Sequence, residues 1–216
     1  QKTNFCTMGA ISDIVFMDNW NRFRAWMLAA GVAILGSQFL YQTGVLDLSK
    51  AIYLTPNLGW FGAILGGLMF GFGMTLGSGC GNKTLVRLGA GNLKSLVVLM
   101  FLGFFAYMTL RGLIGLARVE MEALTVIDLK NSGLKTQGIP EILATLFSMP
   151  LAAVSLATTV VIGGGLVLFA FKSADFRSST RDIAAGIIIG CLVIAAWYLT
   201  GVIGNDEFDP VPMSSF

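Results

Sequence analysis

Five long runs of apolar residues decide what this chain can fold into. A helix needs about 20 mostly apolar residues to cross a bilayer. The runs lie at roughly Trp26–Tyr41, Trp60–Met74, Leu93–Ala117, Met149–Phe171 and Ile183–Ile203, the first extending backward through Arg24 and Phe23. Peptide groups inside hydrocarbon have no water to bond, so each run is expected to be a helix that satisfies its own backbone. Composition agrees: 55% of the 216 residues are hydrophobic and 12% are charged, against about 25% charged in ordinary soluble domains. A water-soluble fold could not cover so much apolar surface. The expected fold class is all-α, a polytopic transmembrane helix bundle. It is read as a single transmembrane domain over residues 1–216, with membrane lipid as its surround.

Two further apolar pieces, Phe5–Met17 and Gly77–Leu88, are too short to span. Pieces of that length suit re-entrant or half-spanning helices. Irregular backbone at membrane depth survives only against protein or a water-filled cavity, so both pieces are expected to face the bundle interior.

Charge placement orients the spans. Lys2, Arg22 and Arg24 precede the first; Lys83, Arg87 and Lys94 lie between the second and third; Lys172, Arg177 and Arg181 lie between the fourth and fifth. The other connections hold Asp47 with Lys50, then a mixed Arg118–Pro140 segment, and the acidic tail holds Asp206, Glu207 and Asp209. Basic residues mark the cytoplasmic side, and long loops weigh less in this rule. The alternation runs unbroken through all five spans, and the mixed segment reads as a partly helical external loop. A net charge of +2 without a basic stripe argues against nucleic acid as a partner. The lack of histidine removes the commonest general base and metal ligand, so neither a metal nor a cofactor is expected. The chain begins at Gln1 with no cleavable signal pattern, which suggests part of a longer polypeptide.

Glycines 66, 67, 71 and 73 have the small-xxx-small spacing that lets helices approach closely in lipid. Gly77, Gly79 and Gly81 instead crowd around Cys80 and suggest a loop that offers backbone amides to a ligand. The run Gly77–Thr84 departs from a phosphate-binding loop, because Asn82 stands where a glycine must precede the lysine. A glycine-rich turn opening into a helix still suits an anion. Lys83 and Arg87 either add charge to that site or only anchor the membrane interface.

The three cysteines match no zinc or disulfide spacing. Cys191, in a plain apolar helix, reads as a small buried hydrophobe. Cys6 and Cys80 each open a short segment. A thiol at a helix start beside basic residues is either acidic and reactive or a weak S–H donor to a polarizable ligand. Asp13, seven residues after Cys6, is functional or paired if embedded, with Arg22 or Arg24 as partners. Arg111 either snorkels to the outer surface or lines an outer anion vestibule.

The stretch from Lys2 to Asp13, including Phe5-Cys6-Thr7-Met8-Gly9, resembles the first signature of the YeeE/YedE family of sulfur-transport membrane proteins. Gly71–Met74 and Gly79–Leu96 resemble its second, and Ala185–Gly201 resembles the family more weakly. The resemblance implies inward carriage of thiosulfate across the bacterial inner membrane, along a path lined by cysteines. It implies pseudo-symmetric halves with short central helices, and a small cytoplasmic sulfurtransferase-like partner that receives the sulfur. Carried onto this chain, Cys6 and Cys80 become path cysteines, with Gly79, Gly81, Asn82, Lys83 and Arg87 as substrate-binding neighbours. Full-length members carry a second half with a further cysteine motif, which Cys191 does not match; the chain reads as an amino-terminal part lacking its first helix. Two alternatives stand beside transport: a non-transporting scaffold subunit, and a sulfur-transfer enzyme with Cys80 as nucleophile.

The charge alternation makes a direct prediction. In intact cells, a cysteine placed at Ser49 should react with impermeant maleimides, and one at Ser178 only with permeant ones. The opposite labelling pattern would overturn the orientation.

Overall fold

The computed structural model describes residues 5–48, 51, 54–129, 134 and 136–203. Lys2 and Lys50, Lys130 and Lys135 of the mixed segment, and the acidic residues after Ile203 lie outside them. Among the described residues the regular structure is helical apart from two paired strands of two residues, β1 (Asn57–Leu58) and β2 (Ile127–Asp128). Ten helices follow in chain order: α1 Thr7–Met17, α2 Asn21–Gln42, α3 Trp60–Leu76, α4 Gly81–Gly89, α5 Leu93–Arg111, α6 Leu113–Thr125, α7 Ile139–Phe147, α8 Leu151–Phe171, α9 Ala174–Ser178 and α10 Thr180–Tyr198. A single π-turn, Leu199–Ile203, continues α10. The five expected spans correspond to α2, α3, α5, α8 and α10. The protein is therefore a multi-pass membrane protein built as an all-α bundle.

The chain divides into two compact units, residues 1–18 with 58–127, and residues 19–57 with 128–216. The second unit is organised around α2, which packs against α8 on one side and α10 on the other. Glycines make both approaches possible. A Cβ at Gly31 would lie 2.8 Å from Val167 and 3.0 Å from the Gly163 carbonyl. One at Gly163 would lie 2.9 Å from Leu35. Toward α10, a Cβ at Gly186 would meet the Ala25 carbonyl at 2.9 Å, and one at Gly190 would meet Val32 Cβ at 2.7 Å. The contacts advance together along α2 and α10, from Ala25 with Gly186 to Val32 with Gly190, so those two helices run parallel. Arg24, near the start of α2, reaches the end of α8, so that pair is antiparallel. These directions match the alternation of the first, fourth and fifth spans read from charge.

Arg24 fastens that end of the unit. Its Nη1 donates to the Phe169 carbonyl at 2.6 Å, and the guanidinium lies 4.9 Å from the Phe169 ring centroid. A cation at a helix C-terminus meets carbonyls that the helix itself leaves unbonded. Nearby, Phe176 of α9 is fully buried and meets Phe171 edge-on.

In the first unit, α5 packs against α4 and α6, and α3 against α6. Two expectations change here. The third span does not continue to Ala117: α5 ends at Arg111, and α6 restarts at Leu113. At the break, a Cβ on Gly112 would lie 2.8 Å from the Met108 carbonyl oxygen, so the sharp bend demands glycine. Arg111 is exposed in the last turn of α5, where a cation suits the helix dipole. The glycines of α3 also differ from their reading as a close-packed face. A Cβ at Gly66, Gly67, Gly71 or Gly73 would have nothing within 4 Å. Among the described residues, no neighbouring backbone approaches them.

Gly190→Val should destabilise the second unit by about 1–3 kcal/mol, the usual cost of overpacking, because Val32 and the Ala29 carbonyl already fill the space. Gly164→Ala, with nothing within 4 Å, is the control. Unfolding by sodium dodecyl sulfate in detergent reads both; equal midpoints would refute the packing argument.

Candidate functional site

Both short segments become helices that begin directly after a cysteine. Cys6 caps α1 and Cys80 caps α4, each in extended conformation. That conformation points the cysteine carbonyl into the first helical bond. Ala10 N–H donates to the Cys6 carbonyl at 2.9 Å, and Thr84 N–H to the Cys80 carbonyl at 3.1 Å. Neither side chain accepts a capping bond. The thiols therefore stand beside the free amides of the first turns, where a helix carries partial positive charge.

The chain brings these two starts together. Cys6 Sγ and Cys80 Sγ lie 3.8 Å apart, although 74 positions separate them in sequence. Cys6 is 4% exposed, Cys80 is half-buried, and both are free thiols. Cys6 precedes α1, outside the spanning helices. Burial opposes its ionisation. The Gly9 amide, the Cys80 thiol and backbone and the Lys83 charge outweigh that and hold its pKa below the ordinary thiol value.

Local sequence explains the turn before Cys80. α3 ends as Gly77 N–H bonds the Gly73 carbonyl and Gly79 N–H bonds the Met74 carbonyl. Ser78 takes a left-handed conformation with φ 56°, an uncommon state for a residue with a side chain. Gly79 has φ 159°, a conformation that side chains rarely allow, and a Cβ there would crowd Lys83 Cδ at 3.0 Å. α4 then holds the turn from beyond. Arg87 Nη1 donates to the Ser78 carbonyl at 3.2 Å, and Thr84 Oγ1 to the Cys80 carbonyl at 3.1 Å.

Of the residues expected at a substrate site, Cys6, Cys80, Gly79, Lys83 and Arg87 are joined by these contacts. Gly81 is the first residue of α4, with Leu102 Cδ1 3.9 Å from where a Cβ would be. Asn82 is exposed. Arg87, left undecided between anion site and interface anchor, bonds the turn. Sequence reading passed over Ser78 and Thr84. The signal for Thr84 was its place four residues after Cys80, where a hydroxyl can bond the carbonyl one turn back. Asp13 is buried at 6% exposure, and its carbonyl accepts the Asp18 N–H that closes α1. Cys191 corrects an expectation: it is exposed. α10 turns Gly186 and Gly190 toward α2, and the next residue lies about 100° further round a helix with 3.6 residues per turn. Among the described residues no group of three or more Cys, Asp or Glu is placed to hold a metal.

Comparison with known proteins adds an independent line. The family model described as sulphur transport matches residues 2–208. The chain is 32% identical over 110 residues to the thiosulfate transporter TsuA of Escherichia coli strain K12, covering 51% of this chain and 28% of that protein. It is 29% identical over 114 residues to the thiosulfate transporter TsuA of Spirochaeta thermophila, covering 52% and 32%. The matched stretches thus span under a third of the length of either relative.

Proposed function

Because the chain belongs to the sulphur transport (YeeE/YedE) family, we propose that it carries thiosulfate, or a closely related sulfur anion, inward across the bacterial inner membrane past Cys6 and Cys80. The observation behind this reading is the 3.8 Å meeting of two thiols at the starts of two short helices. The names of the two relatives support the substrate.

The chemistry suits the task. Thiosulfate is a dianion with a soft, polarizable terminal sulfur. Two thiols in contact offer weak S–H donors to that sulfur. The first-turn amides of α1 and α4 and the charge of Lys83 attract the anion as a whole. Weak holding is an advantage, since conduction needs a site that the ion can leave. Arg87 acts on the turn by holding the Ser78 carbonyl, and so presents Cys80. On the cytoplasmic side, a small sulfurtransferase-like protein is the proposed acceptor of the sulfur.

Uptake of radiolabelled thiosulfate into proteoliposomes tests the reading. Cys6→Ala and Cys80→Ala should each remove most uptake, while Cys191→Ala should leave it intact. Cys80→Ser keeps a donor but loses polarizability and should fall between. Normal uptake by folded Cys80→Ala would sink the thiol path.

Lys83→Gln removes one charge-assisted contact, worth about 1.5–3 kcal/mol, and should raise the half-saturating concentration roughly tenfold or more. Arg87→Gln should instead reduce the yield of folded protein as well as uptake, because the turn loses its tie. An unchanged half-saturating concentration in Lys83→Gln would make that lysine an interface anchor.

A further inference from the structure

Cys6 and Cys80 have a second chemistry open to them. A disulfide needs its sulfurs about 2.05 Å apart; here they stand 3.8 Å apart as free thiols. The remaining approach is under two ångströms, and the backbone beside Cys80 is permissive, because Gly79 and Gly81 flank it. The Cys80 side chain makes no capping bond, so it can rotate toward Cys6 without costing its helix a bond. Cys191 is exposed and lies on α10 in the other compact unit.

We propose that Cys6 and Cys80 form a reversible dithiol–disulfide switch, oxidised by sulfur-based two-electron oxidants of the polythionate class, that closes the transport path. This rests on the transport reading above. The step balances with tetrathionate, the oxidised dimer of thiosulfate. The Cys6 thiolate, favoured by the Gly9 amide and Lys83, attacks one of the two central sulfurs. The central S–S bond breaks and one thiosulfate leaves, with Cys6 left bearing an S–SO3 group. Cys80 loses its proton and attacks Cys6 Sγ; the second thiosulfate leaves and the Cys6–Cys80 bond forms. In sum, two thiols and one tetrathionate give one disulfide, two thiosulfates and two protons. The cysteine sulfurs lose two electrons and tetrathionate gains them.

The physical consequence follows from what the thiols supply. The disulfide has no S–H to offer and ties the start of α1 to the start of α4. Reduction by a dithiol restores both donors. Thiosulfate itself is not an oxidant of this pair in the scheme, so its passage leaves the switch open. An oxidising sulfur environment, in which thiosulfate is converted to tetrathionate, shuts it.

The test uses the whole chain, purified under reduction and placed in proteoliposomes. Tetrathionate is added, free thiols are alkylated with N-ethylmaleimide, and intact mass and linked peptides are measured. The expected result is one alkylated cysteine, Cys191, and a peptide pair joined through Cys6 and Cys80. Uptake of labelled thiosulfate should be lost and should return with dithiothreitol. Cys191→Ser should behave identically, apart from taking no alkyl group. Three alkylated thiols after oxidant, or a link through Cys191, would overturn the pairing. A Cys6–Cys80 link with uptake undiminished would overturn the closure. Reduced proteoliposomes that take up no thiosulfate would overturn the transport reading and the closure with it, while the mass measurement still decides the pairing.

Discussion

A hydrocarbon surround offers no hydrogen-bond partner to a peptide group, and each one left unbonded there costs several kcal/mol. That constraint explains why the described chain is almost wholly helical. It also makes the interruptions informative. α3 stops at Leu76 and α4 restarts at Gly81. The backbone between them is bonded back by Gly77 and Gly79 N–H groups and forward by Arg87 and Thr84. A turn with this many internal ties can lie apart from bulk water, and it places Cys80 at its end. α1, at 11 residues, is about 16 Å long at 1.5 Å per residue and cannot cross a core of about 30 Å. Both short helices carry a cysteine at their start.

Helix association in lipid cannot draw on the hydrophobic effect, since lipid tails are as apolar as leucine. The second unit answers with close backbone approach at Gly31, Gly163, Gly186 and Gly190, which increases dispersion contact along α2. Arg24 adds a directional bond at one end by donating to Phe169. Among the described residues, the glycines of α3 in the first unit meet no such contact. The same residue type therefore does two different things in one chain, and only its neighbours distinguish them.

The site combines an electrostatic element with a soft one. Helix starts and Lys83 favour any anion, and would not by themselves separate a sulfur oxyanion from another dianion of similar size. In the proposed path the paired thiols would supply the distinction, because sulfur meets sulfur through polarizability. Their contact also carries a liability, since two adjacent thiols are the substrate for disulfide exchange. A path that uses cysteines for selectivity is by the same chemistry open to redox control.

The sequence by itself determined the five spans, the relative directions of the first, fourth and fifth, and the two short segments, because apolar length and charge placement are local properties that the bilayer reads directly. It also identified Cys6 and Cys80 as special, through the glycines around Cys80 and the motif resemblance. It placed the third span's end too late, because one glycine inside an apolar run carries no mark of whether its backbone bends; Gly112 bends against Met108. It read Cys191 as buried, since apolar context does not say which face of α10 meets α2. What only the tertiary structure decided was the meeting of two sulfurs 74 residues apart and the role of Arg87 in bonding Ser78. Both depend on how separate helices pack, and no local pattern encodes a contact between segments whose spacing is set by the helices between them.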